Sequence, residues 1–202
     1  MAGRNSDRSI TQGQRLFTCG HSFHAWVGEY MVGMAKMAGI SGHDQLGTSM
    51  IGGSRAVQHW DVPEKQNEAK TALRSGNVDV LTLSCMSRPD EGIGQFAKLA
   101  VRHSPTVRVT LQELWLPEDR FPFDAASRTR ESVEQFNGST MEELMRSHEM
   151  YFEVMEDYVS ALNAEIGNQV VFIVPDAQAT LALRERIMAG TALAEEVKGP
   201  AV

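Results

Sequence analysis

Apolar positions along the chain alternate between two rhythms. Residues 16–19, 78–84 ("VDVLTLS"), 106–112 ("TVRVTLQ") and 169–175 ("QVVFIVP") are short apolar runs bounded by glycine, serine or proline, and residues 46–51 form a weaker one. Such runs predict strands. Between them the apolar residues recur at helical spacing. Residues 22–38 carry Phe23, Trp26, Val27, Tyr30, Met31, Met34 and Met37, and Gly39 closes the segment. Residues 63–74 predict a helix with Pro63 in its first turn and Gly76 past its end. Residues 90–103 predict another, closed by Ser104-Pro105. A long one runs from a cap at Ser139 or Thr140 to about residue 166, with Glu142 and Glu143 in its first turn, and the last spans 177–189. A Pro- and Asp-rich loop, 113–137, interrupts the series.

Strand and helix alternate throughout, and several strands are continuous apolar runs. That combination predicts a parallel sheet buried on both faces. The expected fold is α/β, a three-layer α/β/α sandwich on a mostly parallel, about five-stranded flavodoxin-like sheet with right-handed crossovers. Residues 1–14 read as a flexible polar lead-in and 15–202 as one domain, a length that buries a real core.

Charge and composition narrow the function classes. The net charge of -7 and the scattered Lys and Arg speak against a broad nucleic-acid-binding face. No segment reaches the roughly 20 apolar residues of a membrane span, and residues 1–14 lack the apolar core of an export signal. A mature exported form would look the same, so the compartment stays unknown. The two cysteines, Cys19 and Cys85, read as buried thiols at strand ends, with neither a disulfide framework nor a zinc pattern.

In open parallel sheets ligands bind beyond the carboxyl ends of the strands. That rule gathers residues 20–24, 51–54, 84–90, 112–117 and 175–178 around one crevice. Ser22 follows the first strand. It suits a helix N-cap, or a nucleophile whose own N–H and helix dipole favour a developing oxyanion. Gly52-Gly53 follow the second strand, as a plain turn or as a backbone donor brought close to a ligand.

The order and spacing of these segments resemble the SGNH (GDSL-like) hydrolase superfamily. "FTCGHSFH" is similar to its first block, with Gly20-His21-Ser22 where the family has Gly-Asp-Ser or Gly-Asn-Ser. "MIGGSRAVQHW" is similar to its second block. "VTLQELWLP" and "VVFIVPDAQATLALR" look like the fourth and fifth strands of one branch. The resemblance implies a serine hydrolase of ester bonds, with acetyl esters of carbohydrates among the substrates its relatives take. Ser22 would be the nucleophile, Ser22 and Gly53 would give oxyanion N–H groups, and no cofactor or metal would be needed. The expected partner is a small-molecule ester.

The sequence departs from the family pattern at two blocks. The third block's Asn is replaced by "SCMSR", so Ser84 or, more to the point, Ser87 would have to donate in its place. The family's general base is a His in an Asp-x-x-His block, and no Asp here has a His three residues on. The base could follow in a longer chain or come from elsewhere, with His59 the candidate substitute. Alternatively the domain binds a small ligand or partner without turnover. His21 and His24, flanking Ser22, point away from it by helical spacing, and His43, His103 and His148 read as surface residues.

Several further residues carry weaker readings. His21-x-x-His24 as a metal pair lacks a partner set. Glu113, Glu118 and Asp119 fit a solvated loop better than crevice acids. Trp26, Trp60 and Trp115 fit core packing better than a sugar platform. Met31, Met34 and Met37 share one helical stripe and suit the core or an interface, so a homo-oligomer is open. A flavodoxin-like phosphate binder would need more glycines than "CGHSFH" has.

Overall fold

The computed structural model describes residues 11–84, 88–114 and 140–192. Five strands occur in chain order: β1 (Arg15–Gly20), β2 (Asp44–Met50), β3 (Val80–Ser84), β4 (Arg108–Gln112) and β5 (Val171–Val174). They form one sheet in the order β2-β1-β3-β4-β5, with all strands parallel and helices flanking it. This is the predicted α/β class and the flavodoxin-like strand order.

The helices are α1 (Val27–Met37), α2 (Ala56–Trp60), α3 (Glu68–Arg74), α4 (Glu91–His103), α5 (Met141–Ile166) and α6 (Asp176–Met188), with a 3₁₀ turn at Glu64–Gln66. The described residues fall into two compact units. One takes the chain up to Leu83 together with Asp90–Thr110, and the other takes Ser84–Pro89 together with the residues from Leu111 on.

In the first unit the core lies around β1 and β3. Leu16, Phe17, Cys19, Leu81 and Leu83 are buried, as a strand covered on both faces requires. β2 is the sheet edge, and its residues alternate between exposed and half-buried. That alternation explains why its sequence signal is weak: only one side of the strand is driven inward. A bulge opposite Leu16/Phe17 skips one residue of β2. Gly47 lies just past it, where a side chain would meet the Phe17 ring. Two close approaches depend on missing side chains: a Cβ at Gly28 of α1 would overlap the Gln45 side chain, and one at Gly92 of α4 would overlap the α2 backbone at Ala56 and Val57. Arg15 clasps Asp79 through its backbone N–H, Nε and a 2.8 Å ion pair, pinning the start of β1 beside the lead-in to β3.

The segment expected as one helix over 63–74 is divided. Asn67 accepts from Lys70 N at 2.9 Å as the N-cap of α3, and its amide donates to the carbonyl of His59 at 2.8 Å. One side chain thus starts a helix and ends the preceding loop. α2 is only five residues long, and its local signal is slight: the Gln58 side chain accepts from the Arg55 N–H at 2.7 Å.

In the second unit α5 begins where expected. Thr140 and Glu143 form a reciprocal capping box, and Gly167 closes the helix at φ 77°. Leu144, Met155, Val159 and Leu162 form its buried side. No helix among the described residues is long and apolar enough to cross a membrane.

Candidate functional site

The strand order reverses between β1 and β3, and in open parallel sheets the carboxyl ends of the strands at such a switch point are where ligands bind. β1 runs out at Gly20, and His21 and Ser22 follow. The helix expected from Ser22 starts later. Residues 22–26 form a turn in which His24 and Ala25 donate to the His21 carbonyl, and α1 begins at Val27 with Trp26 as its N-cap. Ser22 is therefore not the cap of α1. Four residues separate it from the helix start, which weakens the dipole's reach, since that field fades within one turn. Ser22 is exposed. Its carbonyl accepts from Trp26 Nε1 at 3.0 Å, and its hydroxyl makes no hydrogen bond among the described residues.

The two flanking histidines are both buried. His21 accepts at Nδ1 from the Phe23 N–H at 3.3 Å and meets the Phe23 ring edge-on. That assigns the proton to Nε2, which has no partner among the described residues. Burial lowers the His21 pKa. His24 reaches Thr82 Oγ1 on β3 at 2.9 Å. Neither ring is hydrogen-bonded to Ser22.

Gly52-Gly53 make the turn at the end of β2, where Ile51 N still donates to the Gly20 carbonyl at 3.2 Å. Gly53 has φ 61° and open space around its Cβ position. The backbone conformation, not crowding, requires glycine there.

His59 on α2 is buried behind this turn. Its Nδ1 lies 2.8 Å from Ser49 Oγ and its Nε2 lies 2.7 Å from Ser54 Oγ. A neutral imidazole donates from one nitrogen and accepts at the other, and the two hydroxyls adapt to either arrangement. Burial, and then the nearby His21 and His24, push its pKa down to about 4. His59 thus holds the end of β2 to α2.

On the same unit Asp90 caps α4, accepting from Gly92 N at 2.8 Å, and pairs with Arg55 at 3.3 Å. Burial raises its pKa despite these contacts. Trp60 packs edge-on against Phe96 and under the Lys70 ammonium, whereas Trp26 is half exposed against Tyr30. Cys19 is buried, and burial raises its thiol pKa.

The second unit holds a pair that sequence reasoning missed. Glu113 and His148, expected on a solvated loop and on the surface, are both buried, with His148 Nε2 2.5 Å from Glu113 Oε1 and the His148 ring stacked on Phe152. Burial raises the Glu113 pKa, and His148 and the Gln178 N–H oppose that rise. Beside it Gln112 donates to Asp176 at 2.5 Å. The signal available in sequence was the period of α5, which puts His148 on the stripe of Leu144 and Met155. Ser84 is buried with its hydroxyl unpaired among the described residues. Cys85, Ser87, Trp115, Glu118, Asp119 and Ser139 lie outside the described residues.

No protein-family model matches the chain, and no curated protein does. Among solved structures it is similar to a family 3 carbohydrate esterase of Clostridium thermocellum, at 14% identity and a TM-score of 0.49 over 82% of this chain and 79% of that one. It is also similar to phospholipase A1 of Streptomyces albidoflavus NA297, at 10% identity and a TM-score of 0.46 over 94% of this chain and 90% of that one.

Proposed function

We propose that the chain is a serine hydrolase of ester bonds, with Ser22 as nucleophile and a small ester, such as an acetylated carbohydrate, as substrate. The observation that carries this reading is the position of Ser22: exposed, two residues after the end of the inner strand β1, at the switch point of a parallel sheet. The resemblance of "FTCGHSFH" and "MIGGSRAVQHW" to the hydrolase blocks supports the same assignment. Ser22 attacks the acyl carbonyl, the alcohol leaves, and water then releases the acid from the acyl-enzyme. The N–H groups of Ser22 and Gly53 stabilise the oxyanion in this reading. His59 spends both ring nitrogens on Ser49 and Ser54. It is a positioning group here unless one of those bonds opens, and the base that takes the Ser22 proton is a separate group.

One observation favours a second reading, ligand binding without turnover: no histidine ring among the described residues is hydrogen-bonded to Ser22. A single experiment separates the two. A fluorophosphonate probe is expected to label the wild-type chain, and Ser22→Ala is expected to lose both labelling and p-nitrophenyl acetate hydrolysis by at least about 1,000-fold. A folded wild-type chain that neither labels nor hydrolyses, yet binds acetylated sugar saturably, establishes the second reading.

A further inference from the structure

Helix α1 buries only Gly28 and Ala35. Those two residues, seven apart, form its inward stripe, and small side chains there let it lie close on the sheet. The opposite face is the unusual one. Trp26, Tyr30, Gly33 and Met37 follow one another at spacings of four, three and four, the rhythm of a coiled-coil seam. The seam points to solvent: Trp26 is 49% exposed, Tyr30 66% and Met37 90%, with Met34 beside them at 66%. A helix ordinarily turns one apolar stripe inward and polar residues outward. This one presents a second apolar stripe outward, of roughly 600 Å², at the upper end of what a monomer's largest patch shows.

We infer that this seam pairs with the same seam of a second copy of the chain, the two helices running antiparallel about a two-fold axis. The flanking charges specify both the partner and the direction. Glu29 and Lys36 are the charged residues of α1, they lie on the same flank of the seam, and neither forms an ion pair among the described residues. In an antiparallel pair, flanking positions of this kind face each other across the axis. Glu29 of each copy then meets Lys36 of the other, twice per dimer. A parallel pair would set Glu29 against Met34 instead. The same two-fold puts Tyr30 over Gly33, whose Cβ side has nothing within 4 Å, and Trp26 against Met37. A self-complementary patch of this kind is what an isologous interface requires. About 1,200 Å² buried in total is the low end for specific interfaces, so the expected dissociation constant is on the order of 10 µM.

Because Trp26 also holds the Ser22 carbonyl, the interface adjoins the candidate nucleophile, but it does not depend on the chain being a hydrolase. Sedimentation equilibrium tests the pairing directly. Wild type is expected to be a dimer in the tens of micromolar. Met37→Glu is expected to weaken it at least about 100-fold. Glu29→Lys alone and Lys36→Glu alone are each expected to weaken it about tenfold, and the double exchange to restore it. These positions are exposed, so circular dichroism should be unchanged throughout. A wild-type chain still monomeric at about 500 µM, or a dimer indifferent to Met37→Glu, overturns the inference. A dimer lost with Met37→Glu but untouched by either charge reversal overturns the antiparallel assignment.

Discussion

His59 shows how a residue's neighbours set its chemistry. Two serine hydroxyls satisfy the ring, and burial among other imidazoles keeps it neutral, with a pKa of about 4 against about 6.5 in an unfolded chain. Between those values the unfolded chain binds the proton first, so stability falls as pH drops from about 6.5 to 4 and levels off below. The shift corresponds to roughly 3 kcal/mol. His21, lowered in the same direction, adds to the loss. Urea unfolding at pH 7, 5.5 and 4 should therefore show a steep decline in wild type and a markedly flatter one in His59→Gln. An unchanged slope in the variant would assign the acid sensitivity elsewhere. "QHW" names a histidine, but not the two hydroxyls around it, because Ser49 and Ser54 come from a strand end and a turn that meet α2 only on folding. For the same reason His148 reads as a surface residue until Glu113 is seen beside it.

At the scale of elements, the long capped segments were legible and the short ones were not. α5 announces itself through Thr140, Glu143 and Gly167, all local signals. The break before α3 depends on one side chain, Asn67, which reaches back eight residues to the His59 carbonyl while it caps α3. The start of α1 is displaced to Val27 because residues after β1 close a turn on the His21 carbonyl first. The packing of α2 on α4 rests on Gly92, where a methyl group would overlap the backbone of Ala56 and Val57. Gly92→Ala should cost about 1–3 kcal/mol through overpacking, although alanine is the better helix former. A thermal melt reads the outcome, and a rise in Tm would mean that the two helices separate freely.

At the scale of the whole molecule, the sheet grades from buried centre to exposed edge. Leu16, Phe17, Leu81 and Leu83 on β1 and β3 are almost wholly shielded, while β2 alternates with solvent. Amide hydrogen exchange should accordingly be slowest at the centre, with β1 and β3 opening only near the global unfolding free energy and β2 opening at lower cost. Equal protection at the edge strand would show that something covers it. Such a cover would be of a piece with the outward seam of α1, another place in this unit where apolar surface is left facing water.

By itself the sequence determined the alternation of strands and helices, the parallel sheet and the place of Ser22 after its first strand. These follow from local periodicity and turn residues, which act over a few positions. Tertiary structure decided which groups are neighbours: His59 with two serines, His24 with Thr82, Glu113 with His148, and the apolar stripe of α1 turned outward. The physical reason is that burial and hydrogen bonding depend on distance in space. The groups concerned are separated by 5 to 58 residues along the chain, and no local pattern encodes their meeting.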